Sequence, residues 1–343
     1  MTSTVVTPDF YQQTGVARFT AQFMPAKLHW LRTHQPAMWR QARRVCSISE
    51  FLTLWFTGEH VAEAGAAALT GLVNIHNLAW RREPIEQLHF HELIFPTLAR
   101  AGCPVGALRP DVADALKLPH KCQFTLGCLD QYAGAIGAGN VKPGGVSETT
   151  GTVLATVRLA NYFDPNPAPD VFQGPAFQPS WHFRMIFGSV SANLLEAFRR
   201  SHAPDHSYAE LDAEAAVVPS HCDGLTLDTH ASERANAPIF RNVTASHTRG
   251  HHIRAILETV AVTLAQQVHQ LHPEGNPRMV RSVGGAATSD LWMQIKTDEL
   301  HTTMLTIDCA EPTSLGAAIL AAATITNASV SDIAQQWVRT RSI

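Results

Sequence analysis

An aspartate between an apolar run and a helix is the clearest candidate for chemistry in this sequence. Residues 124–140 begin as a short apolar strand and continue as a helix rich in Gly and Ala, and Asp130 stands where the two meet. The free backbone N–H groups of a helix's first turn keep such a carboxylate ionised. Asp130 could therefore be a base facing a substrate hydroxyl, or it could only cap the helix and allow close packing.

A second candidate is the hydroxyl-rich stretch at residues 147–159, which reads as a β-hairpin because it is rich in Thr and Val. Within it, Gly151 permits a close backbone approach, and Thr150 and Thr152 offer hydroxyl donors to phosphate oxygens. Most Thr-Gly-Thr turns are only turns, so this segment alone favours a structural role.

A third candidate lies at residues 280–298, where Gly284 and Gly285 end a predicted strand and Ser289 caps a predicted helix. The turn would leave a flat backbone surface on which an adenine could lie. It is not a G-x-G-x-x-G fingerprint, so a dinucleotide fold is disfavoured, and the residues alone favour a tight structural turn. An alanine-rich helix begins at residues 311–318, and its small face would pack under this turn.

The elements that must position these residues follow from apolar spacing and turn residues. Residues 27–80 have helical spacing, with Ser47 and Ser49 as caps. Residues 161–179 and 219–242 read as irregular loops. The other predicted elements are a long helix at 253–271, a strand at 279–283, a helix at 290–300 and a strand at 303–307. This alternation predicts an α/β protein.

Composition and charge indicate which classes of partner the protein could bind. The chain has 343 residues, 45% of them hydrophobic, which is enough for two domains. Only 16% are charged and the formal net charge is -3, so no basic field is available for nucleic acid or anionic lipid. The six cysteines form no C-x-x-C pair and no apolar stretch is long enough to span a membrane. These features predict a cytoplasmic protein with free thiols.

Histidine and serine chemistry are poorly supported. The sequence has 18 histidines, but neither His89 with His91 nor His247 with His251 carries the glutamate of an H-E-x-x-H site. We therefore predict no metal bound by protein residues alone. No G-x-S-x-G elbow is present, which argues against a serine hydrolase.

The candidate segments, in this order along the chain, resemble the FGGY carbohydrate kinases, whose best known members phosphorylate xylulose, ribulose, gluconate and glycerol. Upstream stretches are similar to that family as well, so the resemblance covers nearly the whole chain. These stretches are Thr14-Gly15, KLHWLR from Lys27, SISEFLTLWFTGE at 47–59 and ALTGLVNIHNLAW at 68–80.

The resemblance implies two actin-like ATPase (ribonuclease H-like) units, a sugar-binding domain at 1–146 and a nucleotide-binding domain at 147–343. It implies ATP and Mg²⁺ as cofactors, and transfer of the ATP γ-phosphate to a hydroxyl of a sugar or sugar acid. Asp130 would be the base and Gln131 would lie beside the sugar. The implied nucleotide contacts are Gly151 and Thr152 at the phosphates, and Gly284, Gly285, Ala286 and Ser289 at the adenosine.

Two departures from the family's pattern matter. Its members open with a hairpin carrying D-x-G-T that holds the phosphates of Mg-ATP, and this sequence contains no D-x-G-T. We therefore expect an N-terminally truncated first unit. The alternative to an active kinase is an inactive remnant or split-gene product that acts as a binding protein, with a complementing N-terminal fragment or a second copy as a possible partner. The other departure is at 240–258, where Asn242 and Ala245 replace glycines.

Overall fold

The computed structural model describes residues 2–342 and divides into two compact units, each built from discontinuous segments. The first unit contains the chain up to Ala133, Leu159–Arg184 and Thr313–Trp337. The second contains Gly134–Arg158, Met185–Pro312 and the chain from Val338 onward. These compact units interleave along the chain, so they do not correspond to two consecutive segments. The predicted domains at 1–146 and 147–343 stay a prediction.

Both units contain helices and strands. The helices are α1 (Thr2–Val5), α2 (Phe10–Thr14), α3 (Met24–His34), α4 (Pro36–Gln41), α5 (Ile48–Thr57), α6 (Ala64–Ala68), α7 (Arg82–Gln87), α8 (Pro110–Leu116), α9 (Asp130–Gly137), α10 (Ala192–His202), α11 (Tyr208–Ala216), α12 (Thr229–Ala235), α13 (Arg249–Leu271), α14 (Asp290–Leu300), α15 (Pro312–Thr326) and α16 (Val330–Trp337). Two 3₁₀ helices cover Ser220–Gly224 and Gly285–Thr288.

The strands are β1 (Val61–Glu63), β2 (Val73–Asn74), β3 (Ala79–Trp80), β4 (Thr97–Ala99), β5 (Pro104–Ala107), β6 (Gln123–Thr125), β7 (Val146–Thr150), β8 (Leu154–Ala160), β9 (Phe172–Pro175), β10 (His182–Gly188), β11 (Thr226–Leu227), β12 (Phe240–Arg241), β13 (Met279–Val283), β14 (Thr303–Ile307) and β15 (Thr340–Ser342).

Short strand pairs and helices make up the first unit. Strand β1 is parallel to β4, whereas β2 with β3 and β5 with β6 are antiparallel. Aromatic and aliphatic side chains such as Phe10, Leu72 and Phe90 form its core. The buried guanidinium of Arg81 donates to the backbone oxygens of Val5 and Gly71, both at 3.0 Å. These bonds satisfy carbonyl groups that would otherwise be buried without partners.

One prediction for the first unit needs correction. Residues 27–80 are not helical throughout, because β1, β2 and β3 lie inside that range. From Thr313 onward α15 belongs to the first unit, where Thr324 Oγ1 donates to the Gly102 oxygen at 2.5 Å. Its expected packing under the glycine turn of 280–298 stays a prediction. The prediction of Ser47 as a cap is confirmed, since it is the N-cap of α5 and its N–H donates to the Glu50 carboxylate at 2.6 Å.

A sheet with parallel central strands organises the second unit. Six of the seven strands of this sheet lie wholly or partly in the second unit, in the order β15-β14-β13-β7-β8-β10. Strand β13 is parallel to both β14 and β7, and β7 and β8 form the predicted antiparallel hairpin. In a parallel sheet the carboxyl ends of neighbouring strands meet at one edge, where ligands bind in open α/β folds. The carboxyl ends of β7, β13 and β14 are Thr150, Val283 and Ile307.

Helix α13 is the main packing element of the second unit. Its apolar stripe, which includes Ile253, Leu257 and Leu264, is buried in the core, and Trp292 of α14 donates its indole N–H to the Leu257 oxygen at 3.1 Å. The predicted helix at 253–271 is confirmed and begins four residues earlier than predicted. The strand at 279–283, the helix at 290–300 and the strand at 303–307 have the predicted bounds.

The two segments predicted as loops contain regular structure. Strand β9 lies inside 161–179, and 219–242 holds a 3₁₀ helix, β11, α12 and β12. Such two- to four-residue strands carry no period that a sequence pattern could show. Among the described residues no helix is long and apolar enough to cross a membrane.

Candidate active site

Asp130 lies at the predicted junction. Strand β6 ends at Thr125, and Asp130 is the first residue of α9. The backbone N–H of Gln131 donates to Asp130 Oδ1 at 2.7 Å, and the carboxylate is otherwise exposed. Asp130 lines a pocket of about 440 Å³ whose apolar walls include Phe56 and Phe124. An accessible carboxylate that lines a pocket can accept a proton from a hydroxyl placed there.

A buried glutamate in the same pocket was missed by sequence reasoning. Glu63 ends β1 and caps α6, and its carboxylate accepts the N–H groups of Gly65 at 2.7 Å and Ala66 at 2.8 Å. Burial raises the pKa of Glu63 to about 7 in spite of these bonds. A Cβ at position 65 would lie 3.1 Å from the Pro175 oxygen and 3.0 Å from Glu63 Oε1, so a glycine there permits the cap.

Two further titratable groups, Cys128 and Tyr132, lie near Glu63. Burial, with Glu63 and Asp130 nearby, raises the pKa of the Cys128 thiol well above its usual value. Burial likewise raises the pKa of Tyr132, whose ring stacks on Phe183 with centroids 4.5 Å apart and whose hydroxyl has no hydrogen-bond partner among the described residues. The surroundings of Asp130 are therefore desolvated on the protein side, although Asp130 itself is open to solvent.

The predicted phosphate turn connects β7 and β8. The Gly151 N–H donates to the Val153 oxygen at 3.2 Å, and Ser191, the N-cap of α10, donates its hydroxyl to the Gly151 oxygen at 2.8 Å. Gly151 and Thr152 line a pocket of about 440 Å³, together with Asn193 and the charged residues Glu196 and Arg200. The turn is thus held by hydrogen bonds while Thr152 remains exposed.

The prediction that Thr150 donates to phosphate is wrong, because its side chain points into the core. Lys296 Nζ donates to Glu148 Oε1 at 2.7 Å and to Thr150 Oγ1 at 2.8 Å, and Thr150 Oγ1 donates to Glu148 Oε2 at 2.7 Å. Ser282 also donates its hydroxyl to Glu148. All four side chains are buried, so the Thr150 hydroxyl is committed to this network.

The predicted adenosine turn lies beside the phosphate turn. Gly284 has φ 92° and ψ 178°, and a Cβ there would lie 3.1 Å from the Thr150 oxygen. Ser289 caps α14 as predicted and accepts the Trp292 N–H at 3.0 Å. Ala286 is buried in the core, so only its backbone could face a ligand. Gly284 and Gly285 line a pocket of about 770 Å³ at the carboxyl ends of β13 and β14.

The structure therefore gathers the predicted residues into two groups. Asp130 and the half-buried Gln131 belong to the first unit. Gly151, Thr152, Gly284, Gly285, Ala286 and Ser289 belong to the second, where the ends of β7 and β13 bring the two turns together. The roles of all eight residues stay predictions.

Histidine, cysteine and carboxylate side chains do not assemble into a metal site in the described part of the chain. Within 2–342 no group of three or more such side chains is arranged to hold a metal ion. The rings of His89 and His91 are 6.3 Å apart, and those of His247 and His251 are 5.4 Å apart. Mg²⁺ is commonly bound by one or two carboxylates together with substrate phosphates and water, so this finding is compatible with a metal that arrives on a nucleotide.

The fold and these motifs match one family along nearly the whole chain. Residues 2–137 match the model of the N-terminal domain of the FGGY family of carbohydrate kinases, and residues 117–325 match that of its C-terminal domain. The chain therefore belongs to the FGGY family of carbohydrate kinases. The predicted family is thereby confirmed.

Individual relatives support this assignment. The chain is 26% identical over 314 residues to xylulose kinase of Bacillus subtilis, covering 88% of this chain and 62% of that protein. It is 26% identical over 316 residues to L-fuculokinase of Salmonella typhi, covering 89% and 65%. The chain thus spans less than two thirds of the length of these relatives. The ligand-bound xylulose kinase from Lactobacillus acidophilus matches in structure with a TM-score of 0.87, at 20% identity, over 97% of this chain and 69% of that one. That likeness confirms the predicted α/β fold class.

Proposed function

We propose that this protein transfers the γ-phosphate of ATP to a hydroxyl of a ketose or sugar acid, with Asp130 as the base. The observation that carries the proposal is the exposed Asp130 carboxylate, which lies at the start of α9 and lines a pocket, in a chain of the FGGY family. A base here would orient the sugar hydroxyl and accept its proton as the oxygen attacks phosphorus. Gln131, the next residue, would contact the sugar.

The nucleotide would be held in the second unit. We propose that its phosphates lie on Gly151 and Thr152, and that its adenosine lies on the backbone of 284–286 and on Ser289. The open space around Gly151 and Gly285 and the position of both turns at the carboxyl ends of parallel strands support this assignment. Mg²⁺ bound to the phosphates would supply positive charge to the transferring group.

A matched set of aspartate variants tests the proposed base. ATP consumption is measured with xylulose, ribulose, gluconate, glycerol and, from the relative named L-fuculokinase, L-fuculose. Asp130→Asn keeps an acceptor for the Gln131 N–H but cannot take a proton, so turnover should fall by about 10²–10⁴-fold. Asp130→Ala should abolish it. The control is Asp114→Asn, because Asp114 is exposed on α8 and its carboxylate bonds to His120 on the surface.

Calorimetric titration of sugar and ATP separates binding from chemistry. Unchanged turnover in Asp130→Asn would show that another group is the base. ATP binding without turnover on any sugar would favour the alternative, a nucleotide-binding protein without kinase activity.

A cytoplasmic location is also proposed, and it is supported by the six free cysteines.

A further inference from the structure

The side chain of Thr150 is buried at the base of the predicted phosphate turn. Thr150 is the last residue of β7, so its position in the sheet sets where Gly151 and Thr152 begin. Its hydroxyl accepts a hydrogen bond from Lys296 Nζ at 2.8 Å and donates one to Glu148 Oε2 at 2.7 Å. The only proton of this hydroxyl and one of its acceptor positions are therefore used within the core.

The two groups that bond Thr150 are themselves fixed by the fold. Lys296 and Glu148 are completely buried, and their atoms Nζ and Oε1 are 2.7 Å apart. Ser282, which is opposite Glu148 in the register of β13 with β7, donates its hydroxyl to the same carboxylate. A buried charge is held closely by the groups that satisfy it, because any shift would leave it desolvated without a partner. Helix α14, β7 and β13 together therefore form a rigid support for the end of β7.

By contrast, the turn beyond Thr150 is surrounded by open space. A Cβ added at Gly151 would meet no described atom within 4 Å, and Thr152 and Val153 are exposed. The Gly151 N–H donates to the Val153 oxygen at 3.2 Å, and the Gly151 oxygen accepts the Ser191 hydroxyl at 2.8 Å. These bonds shape the turn, but packing adds little to its placement. The placement therefore depends on the residue at which the turn joins the sheet.

The backbone of Thr150 also contacts the predicted adenosine turn. A Cβ at Gly284 would lie 3.1 Å from the Thr150 oxygen, so the Gly284 backbone packs closely against that carbonyl group. A displacement of Thr150 would change the position of the phosphate turn relative to the adenosine turn. One residue therefore bears on both parts of the proposed nucleotide site.

We propose that the Thr150 hydroxyl is the positioning group of the phosphate turn, and that Lys296 and Glu148 hold it in place. This inference rests on the proposed role of Gly151 and Thr152 at the phosphates of ATP. Thr150 does not touch the nucleotide in this assignment; it sets where the turn meets the phosphates. Phosphoryl transfer depends on positioned groups, and a misplacement of about 1 Å can cost about 10²-fold in rate.

A set of threonine variants tests the proposal while the buried ion pair stays intact. Thr150→Val removes the hydroxyl at almost constant volume, and Thr150→Ser keeps the hydroxyl but removes the methyl group. The matched control is Thr156→Val on the neighbouring strand β8. Thr156 is completely buried as well, and its hydroxyl donates to Gln267 Oε1 at 2.7 Å, outside the network of Lys296.

The first readout does not need activity. Amide hydrogen exchange of a peptide spanning 150–154 should be about tenfold faster in Thr150→Val than in the wild type, and unchanged in Thr150→Ser and Thr156→Val. Unchanged exchange in Thr150→Val would overturn the proposal whether or not the wild type is a kinase. An equal acceleration in Thr156→Val would also overturn it, because the effect would then be a general loosening of the sheet.

The second readout compares the KM for ATP with the KM for the sugar. Thr150→Val should raise the KM for ATP about tenfold and leave the KM for the sugar unchanged, because the turn lies in the second unit and Asp130 in the first. Thr150→Ser should keep a KM for ATP near that of the wild type. Equal KM values for ATP in Thr150→Val and Thr156→Val would refute the positioning role. Equal losses in Thr150→Val and Thr150→Ser would do the same, because the methyl group would then be what matters.

Calorimetric titration with Mg-ATP separates this inference from the proposed function. If the wild type binds ATP but phosphorylates none of the sugars, the proposed kinase activity fails, and about tenfold weaker ATP binding by Thr150→Val would still support the positioning role. Equal affinity in Thr150→Val and the wild type would overturn it, even in an active kinase. A wild type that binds no ATP would refute the nucleotide role of the turn and this inference together.

Discussion

Replacing Lys296 by methionine should destabilise the second unit more than any exposed lysine substitution. Lys296 and Glu148 are completely buried, and their atoms Nζ and Oε1 are 2.7 Å apart. Lys296→Met preserves the length of the side chain, but among residues 2–342 it leaves the Glu148 carboxylate with hydroxyl donors alone, Thr150 and Ser282. Removing one partner of a buried ion pair typically costs about 3–5 kcal/mol, because the remaining charge is desolvated without compensation.

That cost corresponds to a large change in melting temperature. For a unit of this size a loss of 1 kcal/mol lowers Tm by about 2–4 °C, so Lys296→Met should lower it by roughly 6–20 °C. The assay is thermal unfolding followed by circular dichroism. Lys142→Met in the same unit is the control: Lys142 is exposed, and its loss should change stability by no more than about 0.5 kcal/mol.

A double variant distinguishes an unpaired charge from simple loss of packing. Glu148→Gln with Lys296→Met removes both charges and leaves an amide that can still bond Thr150 and Ser282. It should recover most of the lost stability, because a neutral replacement of a buried pair is often tolerated. The reasoning would be refuted if Lys296→Met melted like Lys142→Met, or if the double variant were less stable than Lys296→Met alone.

Three further predictions concern the backbone and pH. Gly284→Ala should lower the free energy of unfolding by about 1–3 kcal/mol, because φ 92° with ψ 178° is a backbone conformation that favours glycine. The new Cβ would also approach the Thr150 oxygen. Unchanged thermal unfolding would contradict this prediction. Gly250→Ala should also destabilise, because its Cβ would lie 2.3 Å from the Glu214 oxygen, whereas Gly151→Ala, surrounded by open space, should melt like the wild type. Burial lowers the pKa of His182 to about 4, so its contribution to stability is lost as pH falls from about 6.5 to about 4. Across that range the wild type should lose about 2 kcal/mol more than His182→Gln in urea unfolding, and parallel curves would refute the effect.

Local signals were sufficient to predict the structure of the two turns in the second unit for which nucleotide contacts are proposed. The alternation in 279–283, the glycines after it and the Ser289 cap each act within a few residues, and all three are present where the sequence predicts them. The hairpin at 147–159 was predictable for the same reason. Asp130 was also correctly placed, because an apolar strand followed by a small-residue helix marks the junction by itself.

Long-range contacts account for what the sequence could not show. The sequence suggested that Thr150 could donate to phosphate. In the structure the Thr150 hydroxyl is buried and accepts a hydrogen bond from Lys296, which lies 146 residues later in the chain. Glu63 stands alone in an alanine-rich stretch, and only the fold brings it into the pocket that Asp130 also lines. Strands such as β1 and β2 are too short for any periodicity, and they form because a distant or flanking strand pairs with them.

The interleaving of the two units has a consequence for synthesis on the ribosome. The first unit begins near the start of the chain, but it is completed only when Thr313–Trp337 has been made, about 200 residues after Ala133. At typical translation rates the early segment waits roughly 10–40 s for α15, whose Thr324 bonds to Gly102. During that interval its apolar surface is open to chaperones. A premature stop codon just after Pro312 would therefore damage the first unit, far from the position of the stop in the linear gene.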